Sequence, residues 1–134
     1  MPCISEVFRM DLSSILPHCK DKYGICVSAS NGKYFLINSE HRKMYDDFEI
    51  DTSEYSFLTK ERSFIGCSEA HILDDELIIE KLGNINYGDM QKILGKVRNS
   101  KYLIEAERIA IASEIEVWLG NYQENQLKNI FHNR

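Results

Sequence analysis

The Asn31-Gly32 dipeptide constrains this chain more than any other feature, because it stands between two runs of strand formers. Tyr23-Gly24-Ile25-Cys26-Val27-Ser28 precedes it and Lys33-Tyr34-Phe35-Leu36-Ile37 follows. Both turn residues accept positive φ at low steric cost, so the pattern predicts a β-hairpin. Pairing outward from that turn brings the far ends of the strands together, so Lys22 and Tyr23 are expected beside Asn38 and Ser39.

More short strands follow. After a polar loop from Ser39 to Asp47, Phe48-Glu49-Ile50 alternates in the manner of a strand. Turn formers surround Tyr55, Phe57 and Leu58 between Asp51 and Glu61. Ser63-Phe64-Ile65-Gly66-Cys67 is apolar and free of proline, which predicts an interior strand. A bend at Ser68-Glu69 then leads into Ala70-His71-Ile72-Leu73. Upstream of the hairpin, Asp11 to Leu16 can form one helical turn that Pro17 ends.

From Asp74 the period changes. Leu77, Ile78 and Ile79 read as a short helix or a strand-to-helix transition closed near Gly83. Asn86 is a cap for a helix over Tyr87 to Val97, with Met90, Ile93, Leu94 and Val97 on one face. Ser100 is expected to cap a last, extended helix that Gly120 stops after Leu119. Its seam would be Ile104, Ile111, Ile115 and Trp118, with Glu105, Arg108, Glu114 and Glu116 facing away and a fraying, flexible tail from Asn121. The expected fold is α+β: a small, strongly curved antiparallel sheet with C-terminal helices, in one domain over residues 1–134.

With 134 residues, 43% hydrophobic and 28% charged, the chain can bury a core without help from a metal or a disulfide. Cys3, Cys19, Cys26 and Cys67 have no paired spacing. Met1 to Glu6 contains no basic segment leading into an apolar run, so the expected state is four reduced thiols in the cytoplasm. No apolar stretch is long enough for a membrane span. A Cys-His zinc site drawing on His18, His41, His71 and His132 lacks ligand spacing. Asp46, Asp47, Glu49 and Asp51 do not give the spacing of a calcium loop and read as a solvated turn. No cofactor motif is present. The formal charge is -5, from 16 basic and 21 acidic residues, which excludes the broad basic field of a general nucleic-acid binder. Any action on RNA must rest on a local site.

One local site offers the right groups. Ser39, His41, Arg42 and Lys43 follow an apolar strand directly, and Lys22 and Tyr23 approach from its neighbour. Metal-free RNA cleavage needs a base for the 2′-hydroxyl, an acid for the leaving 5′-oxygen and cations over the phosphate. Lys22 and Arg42 can supply charge, His41 or His71 can carry a proton, and Tyr23 and Lys43 can hold substrate. The plainer reading is that Ser39 satisfies a loop backbone group and that His41 to Lys43 are a solvated charge run. His71 reads equally as a surface histidine and Cys67 as a core thiol.

The order of these pieces resembles the MazF/PemK (Kid)-like toxins of bacterial toxin–antitoxin systems, over about Tyr23 to Leu103. Phe35-Leu36-Ile37-Asn38-Ser39 is similar to the family's second strand, with Ser39 at the place of its active-site threonine or serine. Phe48-Glu49-Ile50-Asp51 and Ser63 to Leu73 are similar to the strands that follow. Lys81-Leu82-Gly83-Asn84-Ile85 and the Met90-to-Val97 helix continue the likeness. The resemblance implies an SH3-like barrel, a homodimer and a metal-independent, sequence-specific endoribonuclease that cleaves single-stranded RNA and is neutralised by an antitoxin. The family carries arginine then proline where this chain has Lys22-Tyr23-Gly24, and His71 replaces the arginine of the bend. A non-catalytic relative acting through protein contacts, in phage defence or counter-defence, is the alternative.

Overall fold

The hairpin forms around Gly32, which alone in the turn adopts positive φ, at +60°. In the computed structural model, which describes residues 1–132, its strands are β2 (Lys22–Ser28) and β3 (Lys33–Asn38). The connection runs over Ala29 to Gly32 and the ladder slips by a residue between Cys26 and Ser28, so the turn is longer than the dipeptide alone predicts. The register is the expected one, with Tyr23 opposite Ile37.

Five more strands complete a seven-stranded sheet: β1 (Glu6–Met10), β4 (Phe48–Ile50), β5 (Ser63–Ile65), β6 (His71–Ile72) and β7 (Ile78–Asn84). The order is β4-β5-β3-β2-β1-β7, with β6 beside β3, and every pairing is antiparallel. β5 lies inside the sheet, as its apolar composition requires. The outermost strands β4 and β7 do not pair with each other, so the sheet is open where a barrel was expected. β4 is a short outer strand of three residues, paired only with β5.

Helices α1 (Tyr87–Arg98) and α2 (Glu105–His132) follow. Asn86 caps α1 as predicted, its side chain accepting from the Asp89 amide at 2.8 Å. Met90, Ile93, Leu94 and Val97 are buried, and α1 packs on α2 while α2 packs on β2. One apolar core unites both faces of the sheet with the helices, including Val7, Met10, Ile25, Phe35, Ile65, Ile93, Ile111 and Ile115.

Several local expectations are corrected. β1 lies outside the strands read from sequence, although Val7 and Met10 are wholly buried. The segment after Asp74 is a 3-10 turn, Asp75–Leu77, followed by β7, which continues through Gly83 and pairs with β1. Gly83 stops nothing. The Phe57 ring crosses it so closely that a Cβ would meet Phe57 at 2.8 Å. Ser100 closes a turn by accepting from the Tyr102 and Leu103 amides, and α2 begins only at Glu105. Ile104 is therefore exposed, whereas Ile111, Ile115 and Leu119 form the buried seam. Glu114 turns inward and accepts from the Ser28 hydroxyl and the Ser30 amide.

Gly120 does not end α2 either. Tyr122 stacks on both Tyr87 (5.1 Å) and Trp118 (5.5 Å), and this aromatic pile carries the helix past the glycine to His132. From Asn121 to His132 the chain is helical, and residues 121–130 are all exposed. The side chain of His132, one of the four histidines considered for zinc, lies outside the described residues, as do residues 133–134.

A buried polar cluster joins the loop before β5 to α1. The Tyr55 hydroxyl donates to Asp89 Oδ2 at 2.5 Å and accepts from the Asn86 amide at 3.1 Å. Burial, reinforced by the Asp89 bond, pushes the Tyr55 phenol well above its ordinary range, so it donates throughout the physiological range. Tyr55→Phe leaves a buried carboxylate and an amide short of a partner, and should lower stability by about 1–3 kcal/mol in urea unfolding. An unchanged midpoint would show that the cluster is solvated.

All four cysteines are free thiols, Cys3 exposed, Cys19 half-buried, and Cys26 and Cys67 buried. Burial pushes the Cys26 thiol up to about 12 and raises Cys67 as well. The thiolate is the reactive form and needs solvent access, so alkylation of the native protein should reach the exposed Cys3 and the half-buried Cys19 and leave Cys26 and Cys67 untouched. Intact mass should show all four modified only in denaturant. Modification of Cys26 in the native protein would contradict the packing.

Candidate functional site

The hairpin register sets the site. Lys22 opens β2 and Asn38 closes β3, so the two stand opposite one another, and Lys22 Nζ donates to Asn38 Oδ1 at 2.8 Å. This pair forms the common rim of two cavities. Ile37 lines the first and its neighbour Leu36 lines the second. Successive strand residues point to opposite faces, so the cavities lie on either side of the ladder.

The first cavity, about 380 Å³, brings together Lys22, Tyr23 and Ser39 with Arg9, Asp21, Thr59, Lys60 and Ser63. Three of the residues expected to act together therefore do meet. Arg9 arrives from β1, where it stands opposite Tyr23 in the ladder. It is held by Glu80 at 2.9 Å and Asp21 at 3.1 Å, and these partners raise its pKa further, fixing its charge. Lys22 and Lys60 add two more cations against the one carboxylate of Asp21 in the lining, so this rim is locally basic on a chain of net charge -5.

The loop after β3 does not join them. The expectation that His41, Arg42 and Lys43 surround the Ser39 groove is corrected: none of the three lines either cavity. His41 Nδ1 lies 2.5 Å from Asp47 Oδ1, and its ring packs against Phe64 at 5.5 Å. The Asp47 carboxyl is fully buried and accepts from the Arg42 amide at 2.7 Å. Its Oδ1 meets no donor at a bonding angle, so the contact with His41 is a close approach rather than a directed bond. The Arg42 guanidinium sits 3.6 Å from Glu40 and 5.7 Å from the centre of the Tyr45 ring. Lys43 is exposed in a 3-10 turn, Lys43–Tyr45, that ends on Asp46 in the left-handed region. These residues brace the loop, whose last anchor is Lys96 of α1 at 3.2 Å from Asp46.

His71 lines the second cavity, about 330 Å³, together with Lys22, Asn38, Tyr45, Gly66 and Glu69. It is held in β6 opposite Tyr34 and has Glu69 at 4.0 Å. Lys22 is thus the one expected site residue that reaches both cavities. Sequence reading missed Arg9, Asp21 and Lys60. The available signal for Arg9 was its place as a polar residue between the apolar Val7-Phe8 pair and Met10. Asp21 directly precedes Lys22, so the hairpin register that brings Lys22 to Ser39 also carried it, whereas Lys60 sits in a loop that only the fold brings near. Among the described residues no group of three His, Cys, Asp or Glu side chains is gathered to hold a metal ion, and no described helix is long and apolar enough to cross a membrane. No family model matches the chain, and no curated protein matches it.

Proposed function

We propose that the chain is a divergent relative of the MazF/PemK-like toxins that cleaves single-stranded RNA without a metal, at the groove holding Ser39. The observation that supports this is the meeting of Lys22, Tyr23 and Ser39 in one cavity with Lys60 and Asp21. A phosphodiester laid there would have the Lys22 and Lys60 ammonium groups over its non-bridging oxygens and the Ser39 hydroxyl donating to one of them. Asp21 is the group placed to accept the 2′-hydroxyl proton as that oxygen attacks phosphorus. Tyr23 or Lys22 would return a proton to the departing 5′-oxygen. The products balance as a 2′,3′-cyclic phosphate and a free 5′-hydroxyl. In this scheme His41 and His71 are not the proton carriers, since neither lines the groove. A homodimer, an antitoxin that covers the groove and a cytoplasmic location belong to the same reading.

A second reading is a non-catalytic protein that acts through protein contacts, in phage defence or counter-defence. Two observations favour it. Arg9, the arginine of the groove, is committed to Glu80 and Asp21, and among the described residues no imidazole lines the groove with Ser39.

The two readings separate on mixed single-stranded RNA in EDTA. Wild type should cleave and leave a cyclic phosphate on the upstream fragment. Ser39→Ala and Lys22→Ala should each lose roughly 30- to 1000-fold in rate, equivalent to about 2–4 kcal/mol of transition-state stabilisation. Folded wild type that cleaves nothing would support the non-catalytic reading. Cleavage indifferent to both substitutions would place the chemistry elsewhere.

A further inference from the structure

The second cavity has no part in the chemistry above, yet it has the form of a binding site. We propose that it is a guanine-binding subsite, which takes the base next to the phosphate held at the Lys22 rim; this rests on the RNA reading just given.

Its room comes from Gly66. A Cβ there would stand 3.5 Å from Asn38 Nδ2 and 3.7 Å from Tyr45 Cβ, so any longer side chain would fill the floor. At about 330 Å³ the space is at the small end of ligand sites, suited to one base rather than a duplex. Residues with flat side chains are among its lining: Tyr45, His71 and Pro17. Unstacked bases in single strands are held by such surfaces. Tyr45 is fixed for that role, since its carbonyl accepts from the Cys67 amide at 3.0 Å and the Ser68 amide at 2.9 Å while Arg42 packs on its ring. The bracing of the loop from His41 to Asp47 thereby acquires a purpose.

The polar groups choose the base. Asn38 Oδ1 is occupied by Lys22, which leaves the Asn38 amide nitrogen to donate. Lys22 is a second donor, and the exposed Glu69 carboxylate is an acceptor. Guanine presents two adjacent N–H donors, N1 and N2, that match both oxygens of one carboxylate. Its O6 lies beside them and accepts from an amide or an ammonium. Adenine and cytosine offer a single amino group next to a bare ring acceptor, and uracil offers one N–H between two carbonyls. None of these satisfies a carboxylate twice.

The test is calorimetric titration of the full chain with the four nucleoside 5′-monophosphates. GMP should bind about 5- to 150-fold more tightly than AMP, CMP or UMP, the discrimination ordinary for one bidentate base contact. Glu69→Gln should remove that preference, and Gly66→Leu should abolish binding if the variant keeps its fold by circular dichroism. Because Glu69 is exposed, its substitution keeps the test valid even where Gly66→Leu does not fold. A uridine hexamer carrying one guanosine should displace GMP, and an all-uridine hexamer should not. Equal binding of the four monophosphates, no binding at all, or a preference unmoved by Glu69→Gln overturns the proposal. GMP that the guanosine-bearing hexamer fails to displace overturns RNA as the source of the base. Cleavage in EDTA is scored separately. Cleavage without guanosine preference sinks this subsite and leaves the nuclease reading standing, and GMP selectivity without cleavage does the reverse.

Discussion

Strand β3 is paired along both edges, and the rest of the structure depends on that constraint. β2 takes one edge through its whole length, and β5 and β6 divide the other between them. A strand so held cannot slip by one residue without turning every side chain to the wrong face. Phe35 and Ile37 are thereby committed to one side of the sheet and Tyr34 and Leu36 to the other. Asn38, the last paired residue, is carried to the point where Lys22 can reach it. The rim between the cavities is a direct result of register, and Ser39 is exposed because it is the first residue that the ladder no longer holds.

Elements were legible in the sequence where the signal was local. Asn31-Gly32 marked the hairpin, Asn86 with Asp89 marked the start of α1, and the alternation of Phe48 to Ile50 marked β4. Glycines were misread where their meaning was set by a distant partner. Gly83 accommodates Phe57, which approaches from a loop more than twenty residues upstream, and nothing near Gly83 announces it. Gly120 is crossed by a helix whose continuation rests on Tyr87, an α1 residue stacked under Tyr122. β1 went unrecognised because its five residues gain their strand character from two neighbours, β2 and β7, of which one is more than seventy residues away. The MazF/PemK likeness implied a closed barrel, but closure depends on strand lengths at the sheet's ends, which short apolar motifs do not specify.

The candidate site divides in the same way. Lys22, Tyr23 and Ser39 could be placed together because the hairpin fixes their distance. His41 to Lys43 could not, since residues adjacent in a loop need not share a direction. Asp47 decides the matter: it is buried, it takes the Arg42 amide, and it draws His41 back over Phe64. The charge run is exposed, as the plainer reading had it, and what ties it down is the buried Asp47 carboxyl beneath it. Asp21 comes with Lys22 as its chain neighbour, whereas Arg9 and Lys60 converge on Ser39 from separate segments that no spacing rule connects to the hairpin.

The open sheet has a consequence for how the chain behaves in company. Glu6 to Met10 carries three buried apolar side chains in five residues and would be left unpaired along one edge without its outer neighbour. In the folded state β7 lies over its free edge, and β7 shows solvent a row of exposed charge, Glu80 and Lys81. That outer strand acts as a guard, since a further strand added there would have to dehydrate both charges. The guard is clamped by Phe57 across Gly83 and by the ion pair of Lys81 with Glu6 at 2.5 Å. Protection of that edge is thereby delegated to β7, and an event that peels it away bares the backbone donors and acceptors of β1 to any strand able to pair with them.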